Sequence, residues 1–134
     1  MHGNDGADRR QEPRARVKVR IEVTDLDTGR HNVLHTNNLS VGGARCTALR
    51  PLTVGAVVQG HLYLPVSEAG RDIDVALPVR ARVLRCHDVT GSSEFALTFD
   101  AMSDVDRAEL ASYLFAWLAD DSLSHQDELA GSLR

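Results

Sequence analysis

Val17-Lys18-Val19-Arg20-Ile21-Glu22-Val23-Thr24, running into Asp25-Leu26-Asp27-Thr28-Gly29, is the stretch that decides the fold class. Branched apolar residues alternate strictly with charged or polar ones, the period of a strand with one face in a core and the other in water. The segment that follows carries turn chemistry, so the chain reverses and resumes at about Arg30. His31 to Thr36 reads as a second strand leading into Asn37-Asn38. After Gly42-Gly43, Ala44 to Ala48 is a third strand. Pro51 and Gly55 punctuate the next connection, and Val57 to Leu64 is a fourth. Ser67 to Arg71 reads as a loop. Val75 to His87 is a long fifth strand with a mixed pattern, Thr90 to Ser93 is a turn, and Phe95, Leu97 and Phe99 alternate in a last strand.

The periodicity then changes. Ser103 can cap a helix through its hydroxyl, and Asp104 and Asp106 suit the positive end of the helix dipole. Leu110, Leu114, Trp117 and Leu118 follow helical spacing, with Val105, Ala111 and Phe115 widening the apolar stripe. Residues 120–134 are polar and acidic, a tail or an extension of the helix. Short strands followed by one terminal helix predict a mainly β protein, a small antiparallel β-barrel with a C-terminal α-helix packed on it.

The chain has 134 residues and is 43% hydrophobic, which suits one domain with its own core. No apolar run is long enough to span a membrane, and Met1 to Gly6 lacks the apolar segment of a secretory leader. Cys46 and Cys86 sit among strand-like residues and are expected as separate thiols, which points to a cytoplasmic location. His31 and His35 lie about four strand rises apart, too far to chelate, and no CxxC or HExxH occurs, so no metal site is expected. No GxSxG, Walker loop or GxGxxG is present, so neither an enzyme nor a cofactor is expected. The formal net charge is −4, which argues against a polymeric nucleic-acid partner. The charge is nevertheless uneven. Residues 1–20 carry six cations against three acids, whereas residues 100–134 carry eight acids against two arginines. A local cationic site suits a small anionic ligand.

Two polar motifs flank the first hairpin. Arg10 and Arg14 form an RxxxR pattern within Arg9-Arg10-Gln11-Glu12-Pro13-Arg14. Asn38, Ser40 and Gly43 form (D/N)xSxxG within Asn38-Leu39-Ser40-Val41-Gly42-Gly43. In this order and spacing, with a barrel-like remainder, the chain resembles the PilZ family over about residues 9–119, with residues 1–8 as a mobile tail ahead of it. The resemblance implies a six-stranded barrel and a non-catalytic receptor for the bacterial second messenger cyclic di-GMP. By that resemblance Arg10 and Arg14 contact guanine and phosphate, and Asn38, Ser40 and Gly43 complete the site, with Arg9 and Gly42 as further candidates. The chemistry suits these roles. A guanidinium fork matches guanine O6 and N7, and it pairs with phosphate oxygens. Asn38 both donates and accepts, and Gly43 allows close backbone approach. Pro13 favours an extended segment around Arg14.

Two departures stand out. Asn38 occupies a place where many members carry Asp, and Ala96 a place where relatives often carry Gly, a change expected to touch packing. Ligand is expected to order the N-terminal segment onto the barrel and alter the surface offered to a downstream protein partner. The alternative is a PilZ-like interaction adaptor that has lost the ligand and docks through its helix and acidic end. Homodimerisation through that helix is a further expectation. A small barrel binding single-stranded nucleic acid needs aromatic platforms along a basic groove, and six aromatics in an acidic chain fit that poorly.

Overall fold

A computed structural model describes residues 14–89 and 91–132, with side chains of the C-terminal helix described up to Asp120. Arg9, Arg10, Pro13 and the tail 1–8 lie outside the described residues. The strands are β1 (Arg14–Ala15), β2 (Arg20–Asp25), β3 (His31–Ser40), β4 (Gly43–Ala48), β5 (Val57–Glu68), β6 (Arg71–Val89) and β7 (Ser92–Ala101), followed by the helix α1 (Asp104–Ser132). All pairings are antiparallel. The sheet order is β1-β3-β2-β5-β6-β7-β4, and β3 also pairs with β4, so strands β2 to β7 close into a ring. Closure pairs strand edges that would otherwise be open templates for another chain.

The alternation that defines the first hairpin begins earlier than β2. Ala15, Val17, Val19, Ile21 and Val23 are all buried in the core. Arg14 pairs with Ser40 and Ala15 with Leu39, and pairing with β3 resumes at Arg20 with His35. Strands β1 and β2 are therefore two halves of one strand, interrupted where residues 16–19 face the shorter stretch 36–38. Thr36 fills the interruption. Its Oγ1 donates to the Val17 carbonyl at 2.6 Å and accepts the Val19 amide at 2.9 Å. The Thr36 amide donates to the Val19 carbonyl at 3.0 Å. A buried break in a ladder leaves polar groups without partners, and this one hydroxyl pairs two of them.

Other differences from the sequence expectation are local. Strand β3 runs past Thr36, the end expected from the sequence, through Asn37-Asn38 to Ser40, and a bulge between Thr36 and Asn38 absorbs the extra residue. Residues 67–71, expected as a loop, are strand on both sides of a two-residue turn. Ala69 (φ 52°) and Gly70 (φ 78°) take the left-handed conformation such hairpin turns need. Helix α1 starts where expected, with the Asp106 amide donating to Ser103 Oγ at 3.1 Å. It packs against β1 and β3, burying Leu110 and Leu114 completely. Val105 and Phe115, expected on the apolar stripe, are 75% and 59% exposed. They fall to the side of the Leu110–Leu114 line. No helix among the described residues is long and apolar enough to cross a membrane.

Candidate functional site

Arg14, the second arginine of the first motif, lies beside the second motif on the outer face of the ring. Arg14 lies directly opposite Ser40 in the antiparallel register of β1 and β3. Gly43 in turn lies opposite Thr98, and Thr98 opposite Arg82. Ser40 and Gly43 are joined across the tight β3–β4 turn. Ser40 Oγ donates to the Gly43 carbonyl and accepts the Gly42 amide, both at 3.3 Å. Arg14, Ser40, Gly43, Thr98 and Arg82 thus form one row across five strands. The side chain of Arg14 is exposed at its open end.

Ser40 and Gly43 of the second motif also serve the fold. Ser40 spends its hydroxyl on the turn, a common use of serine in this setting. Gly42 is tied to β7, its carbonyl accepting the Phe99 amide at 2.9 Å. Gly43 is expected from the sequence to allow close backbone approach, and its φ is not among the positive ones. A Cβ at Gly43 would collide with the Leu97 carbonyl oxygen of β7. The close approach that requires glycine is strand against strand. Asn38 is a strand residue, half-buried on the outer face opposite Arg45.

Next to this row lies a cavity of about 370 Å³ lined by Arg16, Asn38, Arg45, Arg85 and Ala96, with His87 and Glu94 at its far end. That is the lower end of the ~300–1,000 Å³ usual for small-molecule sites, so it has room for part of a dinucleotide. Glu94 already engages His87 at 2.8 Å. Among the described residues, Arg14, Arg16, Arg45 and Arg85 have no carboxylate partner within the 4.0 Å of an ion pair. The sequence singles out neither Arg45 nor Arg85. Ala96, expected to affect packing, lies half-buried in the cavity floor.

Cys46 and Cys86 are free thiols. Burial pushes the Cys46 thiol up to about 12, so it is protonated, the opposite of what a nucleophile needs. His31 Nε2 faces Glu22 Oε1 at 3.4 Å, and no group of three metal-ligating side chains converges among the described residues.

The sequence model of the PilZ domain family matches residues 8–116. The chain belongs to the PilZ domain family. Two solved structures share the fold at low identity. One is the Bacillus subtilis inhibitor of motility, MotI/DgrA, with a TM-score of 0.69 at 15% identity over 82% of this chain and 51% of that one. The other is the PilZ domain of Escherichia coli YcgR with c-di-GMP, with a TM-score of 0.63 at 14% identity over 88% of this chain and 98% of that one. The chain thus spans about half the length of the motility inhibitor. No curated protein sequence matches it.

Proposed function

We propose that this protein is a non-catalytic cyclic di-GMP receptor that passes the signal to a protein partner from the cytoplasm. The observation that carries this proposal is the register of Arg14 opposite Ser40. It brings the second arginine of RxxxR and the serine of (D/N)xSxxG side by side, with Asn38 two residues along β3 on the same outer face. Family membership and the ligand of the YcgR domain support the same conclusion. In this proposal Arg14, with Arg10 and Arg9 from the preceding segment, reads guanine edges and phosphates. Asn38 adds an amide, and the Ser40–Gly43 turn holds the strand ends in place. Output follows from the position of β1, which pairs with the motif strand β3 and packs against α1. A ligand that draws residues 9–13 towards β3 acts on the strand that supports the helix, and so biases the surface a partner meets.

Calorimetric titration of cyclic di-GMP tests this. Saturable binding is expected for the parent protein, at least about 100-fold weaker binding for Arg10→Ala/Arg14→Ala, given ~1–3 kcal/mol per bidentate contact, and unchanged binding for Arg20→Ala. Hydrogen exchange at residues 9–13 should slow with ligand. The Val19 amide, already bonded to Thr36, should not change. Absence of binding by the parent protein would leave the family's other mode, a ligand-independent adaptor.

A further inference from the structure

The cavity beside Asn38 of the second motif is built by a feature no motif records. Asn38 of β3 lies opposite Arg45 of β4, Arg45 opposite Ala96 of β7, and Ala96 opposite Arg85 of β6. These four residues form a second outward row, parallel to the row of Ser40, Gly43, Thr98 and Arg82 and roughly 7 Å away, two residues along β3, β4 and β7 but three along β6. Both ends of this row depend on β-bulges. The register of β3 shifts between Thr36 and Asn38, and that of β6 between Val83 and Arg85. Side chains alternate faces along a strand, so Asn38 would follow buried Thr36 inward, and Arg85 would follow buried Val83 inward, if pairing were regular. One extra residue in each strand, Asn37 and Leu84, reverses the parity and turns Asn38 and Arg85 outward. Turning an arginine out of a core is required by the cost of burying it. Regular pairing with an apolar residue at position 85 would have met that requirement equally well. The bulge instead places a guanidinium in line with Arg45.

Between the two arginines stands only the methyl of Ala96. Their backbones are two strand spacings apart, about 10 Å, so two long side chains can converge above it. Both are exposed. Neither has a carboxylate partner among the described residues, the one nearby carboxylate, Glu94, being engaged by His87. Two guanidinium groups facing each other repel, and an anion between them relieves the repulsion through charge-assisted bonds.

We infer that Arg45 and Arg85, flanking Ala96, form a second arginine clamp that holds a phosphorylated guanine group. The inference rests on the cyclic di-GMP proposal and deepens it. One half of a bound dinucleotide, or of a second stacked molecule, sits over Ala96, while the RxxxR arginines hold the other. The limited cavity volume fits one such half.

The test is a pair of titrations of the full chain followed by the arginine Nε–Hε resonances. One uses cyclic di-GMP and the other 5′-GMP. Each is repeated on Arg45→Gln/Arg85→Gln, with thermal unfolding as a check that these exposed substitutions leave the fold intact. The parent protein should show shifts at Arg45 and Arg85 with both ligands, and the double variant should bind cyclic di-GMP at least tenfold more weakly. Binding of cyclic di-GMP by the double variant within twofold of the parent would overturn the clamp and leave the receptor proposal standing. Shifts at Arg45 and Arg85 with 5′-GMP but no binding of cyclic di-GMP would uphold the clamp and overturn the receptor proposal. No response to either ligand would overturn both.

Discussion

The outer surface of the ring has two faces that use arginine in opposite ways. On β2 and β5, Arg20 donates to Glu22 at 2.9 Å and lies 4.4 Å over the Tyr63 ring, and His31 approaches the other oxygen of Glu22. Charge there is balanced within the face, and such exposed pairs contribute little to stability. On β4, β7 and β6, Arg45 and Arg85 flank an alanine on one face, Arg16 lines the same cavity, and Arg14 lies opposite Ser40 in the neighbouring row. A face that compensates its own cations has no call on an outside anion. A face that leaves several uncompensated at short range concentrates positive potential where an anionic ligand would sit. The two faces share the same ring and the same alternation, so placement of carboxylates, more than fold, separates a structural arginine from a binding one.

Glycine provides the harshest way to break that comparison. Gly43 belongs to a family motif on the cationic face, and Gly60 belongs to no motif on the balanced one. Yet a Cβ at either would meet a neighbouring strand's carbonyl, Leu97 for Gly43 and Glu22 for Gly60. Gly43→Ala and Gly60→Ala are expected to destabilise the protein alike, by about 3 kcal/mol or more, as overpacking against backbone does when nothing flexible can yield. Urea unfolding without ligand measures this. A Gly43→Ala variant as stable as the parent but deficient in ligand would return Gly43 to the ligand.

Ala96→Glu would make the two faces alike. A carboxylate between Arg45 and Arg85 supplies what Glu22 supplies to Arg20. Affinity for cyclic di-GMP should fall at least tenfold, or about 1.4 kcal/mol, while stability should stay within about 0.5 kcal/mol, as for most surface changes. Titration and thermal unfolding of the same sample check both. Undiminished affinity would show that the cationic face is not where the ligand's charge resides.

Much of the fold is legible in the sequence because alternation survives wherever one face of a strand is buried. Val17 to Val23, Phe95 to Phe99 and the Leu110–Leu114 helix face are examples. β1 is not legible, since two residues cannot display a period and its partner lies beyond a break. The bulges at Asn37 and Leu84 are hidden for a related reason. A single inserted residue looks like noise in a pattern such as Val83-Leu84-Arg85-Cys86, and only the partner strand's register reveals which side chain changed face. Hence Arg14, Asn38, Ser40 and Gly43 are candidates through a family pattern, whereas the alignment of Arg45 and Arg85 on either side of Ala96 is visible only in the sheet. The mixed pattern of residues 75–87 is the one trace of the β6 bulge in the sequence.

Cys46 tests how far the charge of the cationic face extends. It follows Arg45 in β4 but points inward and is fully buried. Nearby cations lower a thiol's pKa and burial raises it. Burial lifts the thiol from 9.0 to about 12. A group raised on folding stabilises the native state fully below its unfolded value and loses that contribution as pH climbs towards the folded value. Between about pH 9 and 12 the parent protein should therefore lose stability relative to Cys46→Val by roughly 1.4 kcal/mol per pH unit. Urea midpoints of the two proteins at pH 8 and pH 10 give the difference with other titrating groups cancelled. At pH 8 a disulfide reagent should label half-buried Cys86 before unfolding and Cys46 only after it. Rapid labelling of native Cys46 would mean that the cationic row polarises the interior as well as the surface, and that its field is not reserved for a ligand outside.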